Sequence, residues 1–320
     1  MLISRRNGAP RWSTATRRRS GLPAGCAPPS YGPVMAISRD DVELTSHGVT
    51  LRGWLYRAGG DGPAPGVVMA HGLTAVREQY LDRYAEAFAA AGLTTLVYDH
   101  FGFGASDGEP RQSPAVSLQL EGYRDAVAWL ADRPEVDADR IGLWGSSYSG
   151  GEVVLLAAED LPVRCAVAQV PFLGGAGPEL SAATLAAITA SIEAGRLDDT
   201  VPAASATPDG LGVMFHDDAY GWFTRSAAER APAWRNEIRI GALLETFSPL
   251  DHLAAARVPL LLIVAPDDAL TPPADGVAAA DAAPLVEVVT IPGGHFDAYV
   301  EGFAASSGAA VGWFTTHLAG

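Results

Sequence analysis

The chain has 320 residues, a formal net charge of −15 and a mean hydropathy of +0.12, with 48% hydrophobic and 18% charged residues. This describes a soluble protein of one large domain carrying an insertion, and no apolar run reaches the roughly 18 residues that a bilayer crossing needs. The acidic balance argues against nucleic acid as a partner, since phosphates would approach a repelling surface, and all 22 basic residues are arginine, which removes Schiff-base lysine chemistry.

Residues 1–38 hold Arg5, Arg6, Arg11, Arg17, Arg18 and Arg19, no acid, and several Pro, Gly and Ser. They are expected to form a disordered basic tail. An export signal would need an apolar stretch of about 7 to 15 residues behind its arginines, and "RRRSGLPAGCAPPSYGPV" has none. The chain is therefore expected to be cytoplasmic, with Met35 an alternative start just ahead of structured sequence. Cys26 falls in the tail and Cys165 in a predicted central strand, so no disulfide framework is expected.

Residues 41–46 and 49–56 alternate apolar and polar around His47-Gly48 and predict an antiparallel hairpin. The runs 66–70, 94–99, 140–145, 164–170, 259–265 and 285–291 are short and almost continuously apolar, as strands buried on both faces require. Helical patterns at 78–91, 116–131, 150–160 and 303–318 separate most of them. The alternation predicts an α/β fold: a mostly parallel central sheet with helices on both faces, binding ligands at the carboxyl ends of its strands. The span 172–248 breaks this rhythm with an amphipathic segment at 180–195, a Pro/Ala/Ser-rich loop near 201–209 and a crowd of aromatics. A gap so long predicts a folded insertion into a core of 39–171 and 249–320.

The stretch "IGLWGSSYSGGEV" (141–153) places three serines between a predicted strand and a predicted helix. At a sharp strand-to-helix turn, the residues two before and two after a nucleophile must be small, because they pack against each other beneath it. Ser146 would put Trp144 there. Ser149 is sterically possible but starts the turn two residues late. Ser147, flanked by Gly145 and Ser149, meets the requirement and departs from G-x-S-x-G only at the last position. A serine hydroxyl is a weak nucleophile alone, so a base and an orienting acid are needed. His295 follows the last predicted strand in "IPGGHFDAY", where two glycines let the loop bring an imidazole over the strand ends. Asp267 and Asp268 both follow the preceding strand; Asp268 is preferred because it begins a D-x-x-x-P turn ending at Pro272. The order Ser147, Asp268, His295 is the one α/β-hydrolases use. "VMAHGLTAVRE" follows a central strand, and the amides of Leu73 and Tyr148 are the expected oxyanion donors.

Through "HGLTAVREQY", "YDHFGFGASDGEPR", "GLWGSSYSGG", "APDDALTP" and "GGHFDAY", residues 40 to 320 resemble a serine α/β-hydrolase. The forms "GSSYSGG", "AWRNE" and "GGHFDAY" are similar to a subgroup related to acetyl-xylan esterases, X-prolyl peptidase-like hydrolases and polyketide-processing hydrolases or transferases. The resemblance implies an α/β-hydrolase fold in which 172–248 is an inserted cap, and in which Asp99, Gly102 and Gly104 shape a loop near the site. The expected activity is hydrolysis of an ester, lactone or thioester of a hydrophobic small molecule, with acyl transfer to an alcohol or amine as the alternative and a peptidase or non-catalytic binding role behind both. No cofactor and no metal are expected, since ligand spacing such as H-E-x-x-H is missing. Phe215, Tyr220, Trp222, Phe223 and Trp234 are expected either to wall an apolar substrate pocket or to form the insertion's own core. Nucleic acid and membranes are not expected partners, and homo-oligomers are left open.

Overall fold

A computed structural model of the chain describes residues 37–60, 62–174, 180–215, 217–245 and 247–320; the basic tail up to residue 36, with Cys26, lies outside the described residues. β1 (Ser38–Ser46) and β2 (Val49–Arg57) form the expected hairpin, with Ser46 opposite Val49. A two-residue turn that matches strand twist needs a left-handed backbone at both positions, which His47 (φ 52°) and Gly48 (φ 73°) supply. There follow β3 (Ala64–Ala70), α1 (Leu81–Ala90), β4 (Thr94–Tyr98), α2 (Val116–Ala131), β5 (Val136–Ser146), α3 (Tyr148–Ala157) and β6 (Cys165–Gln169). The chain then leaves the sheet for α4 (Ala182–Glu193), β7 (Thr200–Val201), α5 (Asp217–Glu229) and β8 (Ile238–Arg239). It returns through β9 (Leu260–Val264), α6 (Ala274–Ala280), β10 (Val286–Thr290) and α7 (Phe303–His317).

Eight strands form one sheet in the order β1-β2-β4-β3-β5-β6-β9-β10, parallel throughout from β4 to β10. Because successive side chains in a strand point to opposite faces, the apolar runs feed two cores. Met69, Val97, Trp144, Val167 and Ile263 pack under α1 and α7 on one face; Val68, Leu96, Leu143, Ala168 and Leu262 pack under α2 and α3 on the other. The helices answer with residues three and four apart, such as Leu81, Tyr84, Ala85 and Phe88 of α1. Cys165 is a free thiol in this core, and burial pushes its pKa up to about 12.

β10 corrects one expectation. Its run was read as buried on both faces, but it is the sheet's edge, with Glu287 and Thr290 exposed and its valines half-buried. The amphipathic reading of 180–195 becomes α4, whose only buried residues are Thr184 and Ser191, while Leu185 and Ile192 are exposed. Val201, Ile238 and Ile240 make a small core of their own in this excursion, joined by Leu73 and Ile188. No helix among the described residues is long and apolar enough to cross a membrane.

Candidate active site

β5 delivers the chain to Ser147 in a backbone conformation, φ 59° and ψ −118°, that a residue with a side chain rarely adopts. The surroundings hold it there. A Cβ at Gly145 would lie 2.2 Å from the Ser149 carbonyl oxygen, so the turn closes only over a glycine. The Ser147 amide donates to Gln169 O at 2.9 Å, and its carbonyl accepts from the Phe172 amide at 2.8 Å. Ser146 and Ser149 are fully buried, whereas Ser147 is half-buried and alone of the three lines the cavity above the sheet.

The loops after β9 and β10 bring Asp268 and His295 to the same point. His295 Nε2 lies 3.0 Å from Ser147 Oγ, and Nδ1 lies 2.8 Å from Asp268 Oδ2. An ionised carboxylate can only accept, so Nδ1–H donates to Asp268 and the lone pair of Nε2 faces the serine hydroxyl. Burial pushes the Asp268 carboxyl upward, but the hydrogen bond and charge of His295 and the Thr271 amide and hydroxyl outweigh it, leaving its pKa below the ordinary value. Asp268 accepts from the Leu270 and Thr271 amides at 2.9 and 2.7 Å and from Thr271 Oγ1 at 2.8 Å. Asp267 is exposed whereas Asp268 is buried and bonded to His295, so the geometry distinguishes two acids that the sequence left side by side. Thr271, which sequence reasoning missed, also lies 3.1 Å from His295 Nδ1.

Leu73 and Tyr148, the expected oxyanion donors, follow directly on Gly72 and Ser147. The 71–73 turn sits against the elbow, since a Cβ at Gly72 would lie 3.0 Å from Ser147 Cβ. The Tyr148 amide opens α3 and has no intrahelical acceptor, and the Leu73 side chain lines the cavity. Asp99 braces the neighbouring loop: its carboxylate accepts from the Arg77 and Ala105 amides at 2.8 and 3.0 Å, and a Cβ at Gly104 would come within 2.2 Å of it.

Beneath the elbow lies a buried polar cluster that the sequence reading did not find. Ser149 Oγ hydrogen-bonds the His71 carbonyl, lies 2.9 Å from Glu152 Oε2 and 3.0 Å from His100 Nε2. Burial lowers His71 to a pKa of about 4 and drives His100 well below its ordinary range, while raising Glu152 to about 8. The His100 amide donates to His71 Nε2 at 3.1 Å, which leaves Nδ1 as the protonated nitrogen of His71. The single Ser149 proton goes to the His71 carbonyl, which can only accept. A protonated Glu152 then donates to Ser149 Oγ, and the cluster is neutral. Ser149 thereby ties α3 to the turn that carries Leu73.

The cavity over Ser147 has a volume of about 20 Å³, and among its walls are Leu73, Met214, Trp222, Phe223, Leu270 and Phe296. Two of the five aromatics singled out in the sequence, Trp222 and Phe223, thus reach it. Trp234 stands behind them, stacked on Phe223 at 5.1 Å, with Nε1 donating to Thr74 O at 2.9 Å. Tyr220 is a correction: it is exposed, because the inward face of α5 is set by Ala219, Trp222, Phe223 and Ser226 and residue 220 turns away from it. Phe215 is half-buried and outside the cavity wall. Among the described residues no group of three or more His, Cys, Asp or Glu could hold a metal ion.

Residues 47–271 match the family model described as X-Pro dipeptidyl-peptidase (S15 family). The quorum-quenching protein AidA of Acinetobacter baumannii (strain MDR-ZJ06) is 29% identical over 272 residues, 81% of this chain and 88% of that protein. A thiohydrolase of Eupenicillium brefeldianum is 30% identical over 247 residues, 73% of this chain and 79% of that protein. The polyketide transferase grgF of Penicillium sp is 36% identical over 167 residues, 52% of this chain and 56% of its own. The crystal structure of the alpha/beta hydrolase GrgF from Penicillium sp. sh18 superposes with a TM-score of 0.74 at 26% identity, covering 88% of this chain and all of that one. The α/β-hydrolase fold expected from the sequence is the fold of this chain.

Proposed function

Because the chain belongs to the X-Pro dipeptidyl-peptidase (S15) family of serine hydrolases, we propose that it cleaves esters, lactones or thioesters of hydrophobic carboxylic acids through an acyl-enzyme on Ser147. The observation that carries this reading is the unbroken relay Asp268, His295, Ser147, opening on an apolar cavity. Ser147 Oγ attacks the carbonyl carbon while His295 Nε2 takes its proton. The oxyanion that forms is held by the Leu73 and Tyr148 amides, and Asp268 fixes the imidazole tautomer and offsets its positive charge. Collapse breaks the bond to the leaving alcohol or thiol, which receives the proton from His295. Water then repeats the sequence and frees the acid. Each step uses side chains and backbone amides alone, so the reading calls for no cofactor.

Two features favour an acyl compound over a dipeptide substrate. Among the described residues no carboxylate lines the cavity, so a peptide's terminal ammonium would be desolvated there without a countercharge. The similarity to a thiohydrolase adds thioesters to the candidate class. Transfer to an alcohol or amine is the second reading, favoured by the similarity to the polyketide transferase grgF. Screening aromatic and aliphatic acyl esters, lactones and thioesters, with and without added alcohol acceptors, tests both. Absence of turnover on the whole panel, together with no labelling of Ser147 by a fluorophosphonate, would sink the acyl-enzyme.

A further inference from the structure

Behind the aromatic wall of the cavity lies a second, open groove of about 770 Å³, and we infer that it binds the phosphate of a substrate whose leaving arm is phosphorylated. The purpose assigned to the groove rests on the acyl-enzyme reading; its capacity to bind an anion does not. Arg111, Arg235 and Arg239 all line it, in a chain whose net charge is −15. Arg111 is held by carbonyls, with Nη2 donating to Gly104 O at 2.8 Å and Nη1 to Ser106 O. Such contacts orient a guanidinium without cancelling its charge. Arg239 Nε donates to the Arg111 carbonyl at 2.9 Å, locking the two residues together, and its Nη1 pairs with Asp198 at 2.9 Å. Arg235 is exposed and has no ion-pair partner among the described residues.

Four acids stand against these three cations: Glu237 in the groove, Asp198 at Arg239, and Asp99 and Asp107 near Arg111, the last two already paired with Arg77 and Arg52. Glu237 is exposed and the Asp198 side chain is 91% exposed, so solvent screens both. One guanidinium satisfies a planar carboxylate, whereas convergent guanidiniums suit the three terminal oxygens of a phosphate.

The groove is joined to the site by Trp234. That ring lines the groove on one side and stacks on Phe223, a wall of the Ser147 cavity, on the other. Its Nε1 donates to Thr74 O, one residue beyond the expected oxyanion donor Leu73. An acyl group over Ser147 therefore leaves the alcohol or thiol side of the substrate to run past Trp234 toward the arginines. A free phosphorylated thiol and the same arm carried on a protein both present an anionic phosphate, a monoester with three terminal oxygens in the first and a diester with two in the second.

Pantetheine and pantetheine 4′-phosphate differ only in the phosphate and serve as the probe pair. Calorimetry on the full chain is expected to give at least a ten-fold tighter Kd for the phosphate, a preference that Arg235→Glu abolishes and Arg235→Lys partly retains, with melting temperatures matching the parent. Equal affinities, or a preference that Arg235→Glu leaves intact, overturn the groove. Benzoyl thioesters of pantetheine, of its phosphate, and of the phosphate arm on a carrier protein then separate the sources. Faster turnover of the free or of the carried phosphate arm names the source, and no gain over neutral benzoyl-pantetheine overturns the groove's role in the reaction. Fluorophosphonate labelling of Ser147 in the parent reports on the acyl-enzyme separately: labelling without phosphate preference refutes the groove alone, and phosphate preference without labelling refutes the acyl-enzyme alone.

Discussion

Glu152→Gln should stabilise the protein, and increasingly so as pH rises. The carboxyl is fully buried on α3, and burial raises its pKa from 4.5 to about 8. Between those values the unfolded chain has lost the proton that the folded chain keeps, so the unfolded state binds fewer protons and stability falls with rising pH. Glutamine cannot ionise, fills the same space, and its amide can donate to Ser149 Oγ as the protonated acid does. Relative to the parent, the variant should gain about 1 kcal/mol at about pH 5.5 and about 3 kcal/mol at about pH 7, rising by roughly 1 kcal/mol per pH unit and flattening above about pH 8. Urea unfolding of both proteins at matched pH values reads the difference directly. A pH-independent gap, or a variant less stable than the parent at neutral pH, would show that Glu152 is ionised in the fold and that the neutral proton arrangement around Ser149 is wrong.

Ser147→Ala should lower kcat by roughly 10^4 to 10^6-fold with an unchanged melting temperature, whereas Ser149→Ala should keep turnover within roughly ten-fold but cost about 1 to 3 kcal/mol, because it strands Glu152, His100 and the His71 carbonyl; the reverse pattern would move the nucleophile. Asp268→Asn should cost roughly 10^4-fold in kcat through the wrong imidazole tautomer. Thr271→Val, which removes one hydrogen bond and keeps the shape, should cost far less, and equal losses in kcat assays would make Thr271 a full member of the relay. Aromatic acyl esters should exceed acetyl esters in kcat/KM by about 30-fold, since about 80 Å² of further apolar contact at about 25 cal/mol per Å² is worth ~2 kcal/mol. Trp222→Phe should shrink that ratio, and a ratio it leaves untouched would assign Trp222 to packing alone.

The nucleophile was legible because steric need at Gly145 is a property of three alternate positions, 145, 147 and 149, and the same need is met in the fold by the contact with Ser149. Asp268 and His295 were legible from their places after β9 and β10, but the choice between Asp267 and Asp268 depended on which side chain the turn directs inward, and adjacent residues carry no such sign. Thr271 left no trace: one hydroxyl in a Pro-rich turn resembles any turn residue. Glu152 was readable in principle. It is the one charged residue in a helix otherwise built of Gly, Val, Leu, Ala, Ser and Tyr, and a helix apolar on all sides is a buried helix. Tyr220 was misjudged because aromatic content was read without its helical phase, and β10 because an apolar run does not say whether a neighbour lies beyond it.

The smallness of the space over Ser147 has a kinetic meaning. At about 20 Å³ it accommodates a water and no acyl chain. Met214, Trp222 and Phe223 come from the excursion between β6 and β9, while Phe296 follows His295, so admitting a substrate means parting these two groups of side chains. Observed rates of substrate capture should then level off with concentration at the rate of parting, and weak apparent affinity would measure the rarity of the parted state more than the quality of its contacts. Reclosure after the first product leaves would ration the next nucleophile: a solvent molecule already inside, or an alcohol long enough to hold the side chains apart. The ratio of free acid to transferred product would then report the timing of that reclosure.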